Sequence, residues 1–162
     1  MIADIITMMW KESRTLFRKG EYRSRMLRMI LVPAVLSSVF PISWGPEWVS
    51  EFLALIIAFI TPAVLVGMMI PDSFASERQR HTLGTLLATR LPNQAILIGK
   101  MAIPVFFGWI TALIFTTLSL IVVNIAHGEG KLLIYSSDIA IGVITISFLI
   151  STTMAGGGML TS

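Results

Sequence analysis

Met101–Gly128 reads MAIPVFFGWITALIFTTLSLIVVNIAHG, 28 consecutive residues without an Asp, Glu, Lys or Arg. Outward from it lie three more uncharged runs: Phe52–Pro71 with 20 residues, Met29–Pro46 with 18 and Ile139–Ser162 with 24. A helix needs about 20 apolar residues, within a range of roughly 17–25, to cross the ~30 Å hydrocarbon core of a bilayer. Four such runs in 162 residues leave too little polar surface to coat a soluble core. The composition agrees: 55% hydrophobic, 13% charged and a mean hydropathy of +0.83, against ~25% charged residues in soluble domains. The predicted fold class is all-α, a polytopic membrane helix bundle. It forms one transmembrane domain over 1–162, with four transmembrane helices near 27–45, 52–71, 101–126 and 139–160 and an amphipathic interfacial helix over 1–25 before them. A water-soluble globular enzyme and a disordered chain are both excluded by this balance.

Three prolines, Pro33, Pro62 and Pro104, fall inside the runs. Membrane helices tolerate proline because neighbouring helices and Ser or Thr side chains satisfy the freed carbonyls. Pro41 and Pro46 flank Ile42–Gly45, expected as a loop with Trp44 and Trp48 at the membrane interface. Orientation follows from the basic residues. Seven lie within residues 1–28 and four more, Arg78, Arg80, Arg90 and Lys100, within 72–100, which makes eleven of the twelve. The opposite loops hold Glu47, Glu51, Glu129 and Asp138 with Lys131 as their one base. Cytoplasmic loops carry the excess of Lys and Arg, so the N-terminus and the 72–100 segment are expected in the cytoplasm. The expected location is the cell (cytoplasmic or inner) membrane, with several passes.

On a helical projection Ile2, Ile5, Ile6, Met9, Trp10, Leu16 and Phe17 share an arc of about 140°, while Asp4, Lys11, Arg14 and Arg18 take the other side. A basic polar face with Trp10 at its edge suits a helix lying in the headgroup plane. Asp4 and the late position of the bases argue against a signal peptide.

Catalytic constellations are missing from the sequence. The chain has no cysteine, so thiolate catalysis, disulfides and cysteine-ligated metals are excluded. It has no G-x-x-x-x-G-K-[ST] loop to cradle nucleotide phosphates. His81 and His127 fall on opposite sides of the bilayer, and each is expected at a solvated surface. Gly156–Gly158 reads as a helix end or a close helix contact. No ionisable residue lies near the midplane of the spans, where a coupling ion would bind. Asn124 is the most polar residue there, and Thr61, Thr111, Thr116 and Thr117 can bond to their own helices. No catalytic residue and no metal site is expected, and the chain is expected not to be an enzyme.

The 72–100 segment is the informative one. Asp72 or Ser73 can cap a helix start, with Glu77 in its positively polarised first turns. Leu83, Leu86 and Leu87 share a face with Ala75, whereas Glu77, Arg78 and His81 point the other way. Pro92 stops this helix and Asn93 caps the next. A partner pressing on this segment would tilt the second and third spans together.

Phe74–Lys100 resembles the signature of ABC type-2 exporter permeases, F-A-G-E-R-E-R-G-T-L-E-x-L-L-A-T-P followed by I-L-x-G-K. The resemblance is ungapped and rests on Phe74, Glu77, Arg78, Arg80, Thr82, Leu83, Leu87, Ala88, Thr89, Ile96, Leu97, Gly99 and Lys100. Trp10, Lys11 and Glu12 are similar to the start of that family's N-terminal interfacial helix. The resemblance implies the permease subunit of an ATP-driven exporter, forming the substrate path. It implies an ABC ATPase subunit as partner, docked at Glu77, Arg78, Arg80, Thr82, Leu83 and Leu87, with the helix bearing Trp10, Lys11, Arg14 and Arg18 alongside. ATP and magnesium would sit in that ATPase, and this chain would hold no cofactor. His81, Gly84 and Arg90 replace the usual glycine, glutamate and proline, so an acidic contact at position 84 is not carried over. Family members have six spans against four here, so a partial or split permease is expected. A second permease subunit, or the missing C-terminal part, would complete it within the lipid bilayer, and nucleic acid is not an expected partner. The alternative is a non-transporting membrane scaffold or regulatory subunit derived from a truncated permease.

Overall fold

The structure is a computed structural model that describes residues 6–7, 9–10, 20–79 and 93–160, with side chains described at 6–7, 9–10, 27–71 and 97–158. Among these residues every regular element is helical. The helices are α1 (Gly20–Trp44), α2 (Glu47–Ser50), α3 (Ala54–Gln79), α4 (Asn93–His127) and α5 (Ser137–Leu160). Four contain apolar stretches long enough to cross a membrane: Leu27–Trp44, Ala54–Pro71, Leu97–His127 and Ser137–Gly158. The chain is thus a multi-pass membrane helix bundle. In hydrocarbon a helix satisfies its own backbone polar groups, and this makes it the form that these runs adopt.

Three boundaries differ from those read in the sequence, for one physical reason. An uncharged run marks apolar depth, while a helix continues for as long as its backbone has no better partner. The first spanning helix begins by Gly20, so residues 20–25 belong to it and not to a separate interfacial helix. The rest of the predicted interfacial helix lies largely outside the described residues; Ile6, Thr7, Met9 and Trp10 are helical. Helix α3 runs through Pro71 to Gln79, so neither Asp72 nor Ser73 starts a new helix. Helix α1 likewise runs through Pro41 to Trp44, and Ile42–Trp44 is helical where a loop was expected. Gly45 ends it, at φ +61°, with its amide donating to the Pro41 carbonyl (3.1 Å). Glycine takes this left-handed conformation without the clash a Cβ brings.

Helix α3 is the centre of the bundle, packed against both α4 and α5, while α1 leans chiefly on α4 and touches α3 less. Half of the α3 apolar window is buried, against 17% of the α1 window. The α3–α4 seam is tight at Gly108, where a Cβ would meet a Val66 methyl at 2.5 Å. The α3–α5 seam closes at Gly158, where a Cβ would lie 3.1 Å from Ile70 Cγ2; of the glycine run only this residue makes the close contact, since a Cβ at Gly156 or Gly157 would meet nothing within 4 Å. Trp109 Nε1 donates to the Ile144 carbonyl (3.2 Å) across α4 and α5. Its indole also meets Phe148 edge-on, with ring centroids 5.6 Å apart. Phe106, Ile110, Ile114, Ile121 and Ile125 make an exposed apolar stripe along α4, as a lipid-facing surface requires.

Candidate functional site

The helices deliver two ends of opposite character. At one end lie the start of α1, the close of α3 and the start of α4, together with the segment that joins those two. In the sequence, residues 1–28 and 72–100, of which 20–28, 72–79 and 93–100 have a described place at this end, hold eleven bases against five acids, a net of +6. At the other lie Gly45–Leu53 and Gly128–Ser136, where four acids in 47–51 and 129–138 face one base, a net of −3. We call them the basic end and the loop end.

Two of the predicted docking residues have a described place at the basic end. Glu77 and Arg78 lie in the last turn of α3. Gln79 is eight residues beyond Pro71, where the apolar window closes, which projects the helix about 12 Å past it. Arg80, Thr82, Leu83 and Leu87 lie outside the described residues, as do Lys11, Arg14 and Arg18. Trp10 is helical and exposed. Lys100 is 3% exposed, the one buried charged side chain among the described residues, and it is engaged in a contact there.

Beside Arg28 the basic end opens into a shallow groove of about 700 Å³ between α1 and α3. Met29 and Val32 line it from α1, with Val64, Met68 and Pro71 facing them from α3. Gly67 adds no side chain to the α3 wall. Arg28 stands at its mouth, exposed.

The loop end is knotted by hydrogen bonds. The short helix α2 inserts Trp48, which is 1% exposed, into a core of Val49, Ile57, Phe115, Val123 and Val143. This corrects the expectation that Trp48 sits at the membrane interface: Pro46 and Gly45 turn the chain inward, and the indole finds its partner inside. Trp48 Nε1 donates to Ser119 Oγ (3.2 Å), and Ser119 Oγ lies 2.9 Å from the Tyr135 hydroxyl. Ser119 in turn donates to the Thr116 carbonyl (2.8 Å). A serine hydroxyl donates once and accepts twice; Ser119 accepts from Trp48 and shares the Thr116 carbonyl with the Tyr135 hydroxyl (3.3 Å), and either hydroxyl of the Ser119–Tyr135 pair can donate to the other. Burial pushes the Tyr135 phenol above the usual tyrosine value, and its hydrogen-bonded neighbours Ser119 and Trp48 pull the other way by less.

Asn124 fastens the second loop. Its Nδ2 donates to the carbonyls of Leu120 and Leu133, and its Oδ1 accepts from the Leu133 amide, each at 2.8 Å. The turn that follows carries Glu129 at φ +38° and Gly130 at φ +79°. Ser136 then caps α5, its Oγ accepting from the Ile139 amide (3.4 Å). His127 is not the solvated residue expected from the sequence. The residue is half-buried: its ring packs on Gly45, with Cδ2 3.4 Å from where a Cβ would stand, and its Nδ1 is buried without a hydrogen-bond partner.

Thr111, Thr116 and Thr117 bond to carbonyls four residues back, as expected. Thr61 does not; its buried hydroxyl reaches no acceptor. Among the described residues no three His, Asp or Glu side chains gather as metal ligands. Comparison of the chain with protein families, curated proteins and solved structures finds no match to any of them. Sequence reasoning missed the knot because Trp48 and Ser119 are 71 residues apart. It missed the groove because Arg28 reads as one more base in a basic segment.

Proposed function

We propose that this chain is the membrane-spanning permease subunit of an ATP-driven exporter of the ABC type-2 class. The observation that carries the proposal is the ungapped resemblance over Phe74–Lys100, lying between the second and third membrane helices. Support comes from the course of α3 and α4, which brings both ends of that segment to the basic end. On this reading the basic end faces the cytoplasm, in keeping with the positive-inside rule.

A separate ABC ATPase, which holds ATP and magnesium, docks on the segment. Glu77, Arg78 and Arg80 supply charge-assisted hydrogen bonds to it, and Thr82, Leu83 and Leu87 supply the contact surface between them. The N-terminal helix carrying Trp10, Lys11, Arg14 and Arg18 lies alongside in the headgroup plane. Motion of the ATPase then displaces the ends of α3 and α4 together, while the knotted loop end resists and serves as the pivot. A second permease subunit completes the substrate path.

Glu77→Arg tests the docking role. The variant is expected to insert and accumulate as the parent does, because position 77 lies six residues beyond the apolar window. Export coupled to ATP hydrolysis is expected to fail in it. Undiminished export by Glu77→Arg would contradict the proposal. Partner binding without any transport by the parent chain would favour the scaffold.

A further inference from the structure

The groove between α1 and α3 has the chemistry of a lipid site, and we infer that it binds one anionic phospholipid from the leaflet at the basic end. The inference stands on the fold alone and not on the proposed transport function.

Depth comes first. Arg28 is the second residue of the α1 apolar window and Pro71 the last of the α3 window, so the mouth of the groove lies where hydrocarbon meets headgroups. From Pro71 to Val64 the wall descends seven residues, about 10 Å into the hydrocarbon. The chemistry changes along that path. Among the described residues the mouth carries Arg28 as the one charged residue of the lining, and those deeper are apolar: Val32, Val64 and Met68. Arg28 is exposed at that mouth, and the sequence over 1–28 and 72–100 is net positive by six charges. A guanidinium binds phosphate through a planar fork of donors. Two methionines, Met29 and Met68, give walls that adapt to a flexible acyl chain. An occupant with an anionic head, an apolar tail and a fixed depth in the bilayer is a phospholipid.

The test uses the purified full chain in a neutral detergent, offered dioleoyl phosphatidylglycerol and dioleoyl phosphatidylcholine in equal amounts, with native mass spectrometry as the readout. The first bound lipid is expected to be phosphatidylglycerol by about five-fold, the scale of one Arg–anionic lipid contact. Arg28→Gln, at an exposed position, is expected to bring that ratio close to one. Val32→Trp fills the groove from its exposed side and is expected to remove the first adduct of both lipids. Glycerol phosphate, which has the head without the tail, is expected not to displace the lipid. Equal uptake of the two lipids by the parent chain would overturn the inference, as would an unchanged ratio in Arg28→Gln. Displacement by glycerol phosphate would make Arg28 a site for free anions instead. A dimer free of lipid that Val32→Trp dissociates would give the groove to a second copy of the chain.

Discussion

The loop end and the basic end are built from the same four helices and are held in opposite ways. At the loop end, nine buried hydrophobic residues form one cluster, and hydrogen bonds from Trp48, Tyr135 and Asn124 tie α2 and the 128–136 loop onto α4. Towards the basic end the buried cluster shrinks to Val66, Ile70, Val105 and Ala155, and α1 stands off from α3 across an open groove. In lipid no hydrophobic force separates helix from solvent, so association rests on packing and on interhelical hydrogen bonds. Where both are concentrated the bundle is fixed, and where both are sparse it is free to yield.

Removing the indole at position 48 is the largest blow to this contrast. Trp48→Ala leaves a cavity that lipid does not reach and strips Ser119 of a donor, for an expected loss of about 3–5 kcal/mol in denaturant unfolding of the detergent-solubilised chain. Next comes Asn124→Ala, which frees the Leu133 amide and carbonyl from their side-chain partner; about 1–3 kcal/mol is expected. Faster hydrogen exchange at Leu133 than in the parent would place that loss in the loop.

A smaller effect tests the tyrosine. Because burial holds the Tyr135 phenol above the usual 10.0, the folded state keeps its proton while the unfolded state gives it up. The stability of the knot is therefore fully present below pH 10 and falls as pH rises through the raised folded value. Tyr135→Phe should remove that alkaline slope in thermal unfolding, and an identical slope in the variant would place its origin elsewhere. Smallest of all is Met68→Ala in the exposed wall of the groove, expected within about 0.5 kcal/mol of the parent. A loss at Met68 as large as that at Trp48 would abolish the distinction between the ends.

The spans are legible in the sequence because uncharged runs such as Phe52–Pro71 and Met101–Gly128 match the thickness of a bilayer and give a soluble surface nothing to show to water. What the runs do not reveal is where each helix stops. The α3 backbone continues eight residues past Pro71 into polar sequence, since charge marks the edge of the hydrocarbon and not the end of hydrogen bonding. Trp48 reads as an interfacial residue from its loop and its neighbours, and only a contact with Ser119 shows it to be core. His127 is similar: nothing local signals that the turn at Gly45 folds over its ring. Of the candidate docking residues, Glu77 and Arg78 have a described place at the end of α3. Their role rests on the resemblance, because docking is a property of two chains.

Affinity purification of the full chain from its native membranes, tagged at the N-terminus and followed by identification of its partners, is the most direct test of the proposed function. The expected result is an ABC ATPase co-purifying in a fixed ratio to the chain, together with a second permease polypeptide or a second copy. Recovery of the chain from intact membranes with no ATPase bound would contradict it.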